Sequence, residues 1–246
     1  MPTVSVIVPA LNEAGRIGAA IRSARDAGAD DVVVADGGSE DGTAEAARPL
    51  ADAVVVAPRG RAAQMNAGAR AASGEVLLFL HADTLLPHGA VDAVRKAVTE
   101  DGCVGGAFTV RLGMSREASS ARKALLRLTA RMINARARFF RAYTGDQGIF
   151  VARRVFEEMG GYPEIPLMED VELSRLLVRR GRTALLPARI TTSARRWESR
   201  GPVRTILLMW GLRLAHRLGM SPARCARIYL SDPPATPRSE EAASGR

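Results

Sequence analysis

An open, mostly parallel α/β sheet with flanking helices is the fold this sequence predicts. Three observations carry the expectation: short β-branched runs recur through the first hundred residues, Ala-rich helical stretches separate them, and each run is apolar almost throughout. Near-continuous apolar runs belong to strands covered on both faces, and the intervening helices supply the cover. Strands are expected at 4–8, 31–35, 53–56 and 75–80, with helices at 14–27, 43–50, 62–72 and 89–98. That βαβαβαβα order implies right-handed crossovers between parallel strands.

The second half is less regular. It suggests a strand at 103–112, a long basic helix at 115–138, a short strand at 148–152, and helices at 153–159 and 170–180. Over 203–218, Ile206, Leu207, Trp210, Leu214 and Leu218 recur at helical spacing with Arg204, Arg213 and Arg217 between them. Such a basic amphipathic helix either covers a core or lies in a membrane interface. Pro233, Pro234 and Pro237 among Ser, Glu and Ala mark 231–246 as a disordered tail, leaving a single domain over 1–230.

Composition narrows the function. The 246 residues, 47% hydrophobic and 25% charged, suffice for a sizeable core and exclude a wholly disordered or fibrous chain. The net charge of +9 is uneven: residues 1–100 hold 9 Lys and Arg against 13 Asp and Glu, and the remainder holds 26 against 13. A basic second half suits phosphates or an anionic membrane surface. Aromatics at 4% are too few for base-stacking platforms, and no reader motif is present, so no nucleic-acid partner is expected. Cys103 and Cys225 lie far apart without CxxC spacing, which gives neither a disulfide framework nor a thiolate zinc site. With no signal-like leader before Val4 and no apolar run of about 18 residues, the expected location is the cytoplasm, extending to the inner face of the cell membrane.

Ligands of open parallel sheets bind at the carboxyl ends of the strands. Here those ends carry Pro9-Ala10-Leu11-Asn12-Glu13, then Asp36 followed by GGSEDGT, then His81-Ala82-Asp83-Thr84. Asn12, Asp41 and Thr43 are equally suited to capping the helices that follow. Asp36 ends an apolar strand, where a half-buried carboxylate needs a donor such as a nucleobase imide or a ribose hydroxyl. His81-x-Asp83 could hold a divalent cation bridging a diphosphate, or form a simple turn. Glu169-Asp170 opens a helix, where two acids also suit the helix dipole. Neither GxGxxG nor a Walker loop is present, which demotes dehydrogenases and P-loop NTPases.

PALNE, Asp36 with GGSEDGT, the Gly60 to Gly68 segment, His81-Ala82-Asp83, Gly160-Gly161-Tyr162 and Met168-Glu169-Asp170 stand in an order that resembles family 2 glycosyltransferases of the GT-A fold, over roughly 3–200. HADT and Gly145-Asp146-Gln147 resemble a small bacterial branch of that family. The resemblance implies a nucleotide-binding half at 1–100 and an acceptor half at 101–230. It puts Pro9, Ala10, Asn12, Glu13, Asp36, Arg61, Asn66 and Ala82 around the nucleotide, and Asp83 with His81 on a divalent cation, Mn2+ or Mg2+. Asp170 matches the base of an inverting transfer, supported by Glu169. Gly145, Asp146, Gln147, Gly161, Tyr162, Arg196 and Trp197 fall on the acceptor side. His81 stands where a first Asp is common, and Ser193 to Trp197 departs from QxxRW at its first position, which argues for a single transfer rather than polymerisation.

The implied partner is a nucleotide-diphosphate sugar, with an acceptor that includes lipids and lipid phosphates among its candidates. Arg136, Arg138, Arg141, Arg195 and Arg196 suit diphosphate or lipid phosphate. Two other readings stand beside this one: a sugar-phosphate nucleotidyltransferase, for which the loop after the first strand lacks glycine and basic residues, and a non-catalytic membrane-associated binding or scaffold protein whose acids are caps.

Overall fold

The computed structural model describes residues 1–114, 119–195 and 202–231. Strands β1 (Val4–Ala10), β2 (Asp31–Asp36), β3 (Ala53–Val56) and β4 (Val76–Phe79) alternate with helices α1 (Ala14–Asp26), α2 (Thr43–Ala47) and α3 (Arg61–Ala71), as expected. After β5 (Thr84–Leu85) and α4 (Ala90–Thr99) come β6 (Gly105–Gly113), α5 (Ser120–Phe140), a 3-10 turn at Gly145–Gln147, β7 (Ile149–Ala152), α6 (Arg153–Glu158), α7 (Glu169–Arg180) and β8 (Thr183–Ser193). Helices α8 (Pro202–Arg217) and α9 (Pro222–Ser231) close the described chain. The expected helix start at 115 and most of the expected tail lie outside the described residues.

The sheet runs β3-β2-β1-β4-β7-β6-β8-β5. β1 to β4 are mutually parallel, β7 is antiparallel to both neighbours, and β6 and β8 are parallel to each other. Alternate side chains of the central strands feed two cores. Val4, Val6 and Val8 join Ile17 and Ile21 of α1 and Val91 and Val94 of α4; Ile7, Leu77 and Phe79 join Met65 of α3, Phe156 of α6 and Leu177 of α7. This double cover explains why the strands read as continuous apolar runs.

β8 was not anticipated. Its run TALLPARITTS contains Pro187, which cannot donate to a ladder. The structure accommodates it in a bulge: β6 and β8 shift register between Phe108 and Thr109, and the Thr109 hydroxyl donates to the Pro187 and Ala188 carbonyls at 3.0 and 3.1 Å. α8 is a helix, as expected, and most of its apolar residues do not cover a core. Thr205 and Leu212 are its buried positions, whereas Leu207, Trp210, Leu214 and Leu218 are exposed.

Candidate functional site

Strand order reverses direction between β1 and β4, the switch point at which open sheets leave a crevice beyond their carboxyl ends. A cavity of about 1620 Å3 opens there. Pro9, Ala10 and Glu13 reach it from the end of β1, Arg61 from the start of α3, and His81, Ala82 and Asp83 from the end of β4. Asp146, Glu169 and Asp170 line the same cavity. Acidic groups separated by nearly a hundred residues thus face one space.

Asp170 is anchored by backbone. Its Oδ2 accepts from the Gly145 amide at 2.8 Å and its Oδ1 from the Val171 amide at 2.7 Å. Gly145 in turn abuts His81 so closely that an added Cβ would lie 2.5 Å from the imidazole Nε2. The turn at Gly145 therefore joins the α7 carboxylate to the end of β4. Met168, just before the acidic pair, adopts φ 72° and is buried against Leu212 and Cys225. A non-glycine residue there costs of order 1–3 kcal/mol, offset by the packing of α8 and α9 around it.

Several expected residues are employed elsewhere. Asp36 is buried, but its carboxylate accepts from the Gly38 and Ser39 amides at 3.1 and 2.9 Å and from the Ser39 hydroxyl, and it does not line the cavity. The donor anticipated from a ligand is supplied by the chain's own loop. Asn12 is exposed, with φ 54°, and its Oδ1 accepts from the Glu40 amide at 3.0 Å. Asp41 does cap, but across elements: it takes the Ala14 amide of α1 at 3.0 Å as well as the Thr43 amide at 3.1 Å.

Asn66 clamps Tyr162 instead of closing over the cavity. Its Nδ2 donates to the Tyr162 carbonyl at 2.9 Å and its Oδ1 accepts from the Tyr162 amide at 2.8 Å. Gly161 sits against this clamp, with φ 80° and room for no side chain beside Asn66 Oδ1. Tyr162 is buried with its ring edge-on to Phe79, 4.9 Å between centroids. Burial, with smaller contributions from Asp170 and Glu169, raises its phenol well above the usual range, and its hydroxyl lacks a hydrogen-bond partner among the described residues. Asn66, Gly161 and Tyr162 therefore buttress the site from beneath rather than line it. Gln147 is fully buried and likewise structural: it accepts from Arg136 at 3.2 Å and donates to the Phe108 carbonyl at 3.2 Å. Arg196 and Trp197 lie outside the described residues.

Sequence reasoning passed over Gln64, Thr144 and Arg213. Gln64 donates to the Ala10 and Ala35 carbonyls at 2.6 and 3.1 Å, tying the ends of β1 and β2 together under the cavity. Thr144 accepts from Arg136 Nη2 at 2.7 Å. Arg213 lines the cavity with a buried Nε that has no hydrogen-bond partner among the described residues. Arg195, which was anticipated, reaches back to Glu13 at 2.9 Å.

Among the described residues no group of three or more His, Cys, Asp or Glu side chains stands close enough to hold a metal ion. His81 and Asp83 offer one imidazole and one carboxylate. That set is too small for an all-protein cage and fits an ion that completes its shell with phosphate oxygens and water.

Similarity to known proteins agrees with this geometry. The sequence model described as Glycosyl transferase family 2 matches residues 5–160. No curated protein matches the chain. Among solved structures, TarS 1-349 from S. aureus superposes with TM-score 0.60 at 18% identity, covering 79% of this chain and 61% of TarS, so this chain spans about three fifths of that relative. Mannosyltransferase PcManGT from Pyrobaculum calidifontis, in complex with GDP-Man and Mn2+, gives 0.56 at 21% identity over 95% of this chain and 66% of the other. Glucosyl-3-phosphoglycerate synthase from Mycobacterium tuberculosis gives 0.53 at 22% identity over 76% and 70%. The open sheet, the crevice at its switch point and the matched span together show that the chain belongs to glycosyl transferase family 2, with the GT-A fold.

Proposed function

We propose that this chain is an inverting, metal-dependent glycosyltransferase that moves one sugar from a nucleotide-diphosphate donor to an acceptor hydroxyl. The observation that carries the reading is the juxtaposition, through Gly145, of the Asp170 carboxylate with the His81 to Asp83 end of β4 in one cavity. The neighbours support the donor class: TarS structures hold UDP and UDP-GlcNAc, and PcManGT holds GDP-Man.

Asp83 and His81 would hold the divalent ion together with the donor's diphosphate, and the bound ion supplies charge neutralisation at the leaving group. Pro9, Ala10, Glu13, Arg61 and Ala82 surround the nucleotide. Asp170 acts as the base. Its two amide bonds use one lone pair on each oxygen and fix the plane of the carboxylate, leaving a second lone pair for a proton. The acceptor hydroxyl gives its proton to Asp170 as its oxygen bonds to the anomeric carbon, and the bond from that carbon to the diphosphate breaks with its electron pair on the departing nucleotide. Attack opposite the leaving group inverts the anomeric centre.

The test is turnover of a panel of UDP- and GDP-sugars with Mn2+ or Mg2+, read by nucleotide release, for the native chain and Asp170→Asn. An amide oxygen cannot take the proton, so turnover should fall by about 10²–10⁴-fold, while UDP or GDP affinity stays within about twofold. Retained turnover in the variant would remove Asp170 from the role, and no metal-dependent nucleotide binding at all would remove the donor site.

A further inference from the structure

The cavity wall opposite the strand ends holds a pair of like charges that the transfer just described does not use. Arg136, on α5, and Arg213, on α8, both line the cavity where these helices pack together. Arg136 is held by the Ala142 carbonyl at 3.2 Å, the Thr144 hydroxyl at 2.7 Å and Gln147 at 3.2 Å through Nε and Nη2, so Nη1 has no partner among the described residues. Arg213 makes no hydrogen bond or ion pair there, and its Nε is buried. Desolvation, then Arg213, brings Arg136 down to about 10 against the pull of Asp146 and Asp170, neither of which forms an ion pair with either guanidinium among the described residues. Two partly desolvated cations with open donors are costly unless an anion joins them.

Beyond this pair the cavity mouth turns apolar. Phe139 and Phe140 at the end of α5 and Leu207, Trp210 and Leu214 on α8 line the same cavity, yet are exposed by 76%, 78%, 66%, 56% and 60%. An apolar rim leading inward to two arginines, and from them to Asp170, is laid out as an amphiphile is.

We propose that the acceptor is an amphiphile whose headgroup carries a phosphate and the accepting hydroxyl, bound with the phosphate between Arg136 and Arg213, the hydroxyl toward Asp170 and the hydrocarbon chain against the rim at Phe139, Phe140 and Trp210. This rests on the transferase reading for the word acceptor, and the assignment to the acceptor follows from placement. Arg136 bonds Thr144 and Gln147, on the Gly145 turn whose amide holds Asp170, hence on the base side, whereas the diphosphate belongs beside Asp83.

Isothermal titration of the full chain with octyl phosphate, inorganic phosphate and octyl glucoside, each as monomer, tests it. Octyl phosphate should bind at least about tenfold more tightly than either control, since burying even a few methylenes adds that much. Arg213→Gln should weaken octyl phosphate by about tenfold, the effect of one charge-assisted bond, with Arg213→Lys intermediate because it keeps charge without the fork. Trp210→Ser should weaken octyl phosphate and leave inorganic phosphate unchanged. UDP and GDP affinity with Mn2+ is measured on every protein. Octyl phosphate binding no tighter than phosphate, or unchanged in Arg213→Gln, overturns the proposal; so does equal weakening of UDP, which would give the arginines to the donor. These titrations need no turnover, so a chain that binds octyl phosphate but shows no metal-dependent binding of UDP or GDP would sink the transferase reading alone.

Discussion

Replacing Gly145 with alanine probes the junction on which the site depends. The added Cβ would lie 2.5 Å from His81 Nε2 and 2.8 Å from Cε1, closer than carbon and nitrogen tolerate, so the imidazole or the turn must move by about 1 Å. Overpacking of this kind costs about 1–3 kcal/mol, or about 2–4 °C of melting temperature per kcal/mol in a chain this long. The catalytic effect should exceed the structural one. The Gly145 amide holds Asp170 Oδ2 at 2.8 Å, and a displacement of about 1 Å at a reacting group costs about 10²-fold in rate. Thermal melting and donor turnover read the two effects separately. Gly15→Ala is the control, because a Cβ there meets nothing within 4 Å and alanine in a helix is worth about 0.5–1 kcal/mol over glycine. Gly145→Ala melting and turning over like the native chain would refute the coupling between His81 and Asp170.

Three further outcomes follow from the hydrogen bonds and packing. Asn66→Ala leaves the buried Tyr162 amide and carbonyl unpaired and should cost about 2–4 kcal/mol, with amide exchange at Tyr162 accelerated. Gly106→Ala sets a Cβ 2.0 Å from the Ala184 carbonyl oxygen, a backbone atom that cannot yield without opening the β6 and β8 ladder, so soluble expression should collapse. Asp30→Asn tests pH linkage. Burial opposes ionisation of Asp30, but the Val4 amide and Arg95 outweigh it and hold the carboxyl below 3.8. The stabilisation is thus complete above 3.8 and lost as the pH falls through the lowered folded value. For this partly exposed pair it stays under about 1 kcal/mol, so the native and variant melting curves should differ slightly at pH 7 and merge in acid.

What the sequence discloses and what it hides divide along physical lines. Val32 to Ala35 and Val76 to Phe79 are legible because both of their faces are buried, so every position is apolar. β8 is not, because Pro187 and the bulge around it break the pattern that marks a strand. The same division runs through the site. Glu13, His81, Asp83 and Asp170 follow from their places at strand and helix ends, where a cavity must open. Asp36, Asn66 and Gln147 are polar residues in apolar settings too, but their partners are backbone groups 2 to 96 residues away. Nothing in local sequence separates a buried amide that waits for a ligand from one that has found Tyr162. A sharper signal existed for Gln64: a buried polar position inside a helix beneath two strand ends must bond backbone.

The boundary of the family match bears on specificity. The matched span 5–160 contains β1, β4 and the Gly145 turn, hence every wall assigned to the donor, whereas Asp170, Trp210 and Arg213 lie beyond it. α8 and α9 hold the strained Met168 in place and at the same time present the unpaired Arg213 and the exposed rim. On the proposed reading, this segment would both fix the base and frame whatever the base deprotonates. On the same reading, acceptor choice could change with α8 while the proposed donor site stayed as it is. The charge distribution follows the same line. On α6 and α7, Arg153, Arg154 and Arg175 are matched by Glu157, Glu158 and Glu172 one helical turn away. At Arg136 and Arg213 no ion pair forms among the described residues, and only the field of Asp146 and Asp170 opposes the charge on Arg136; this is the charge the proposed headgroup would meet.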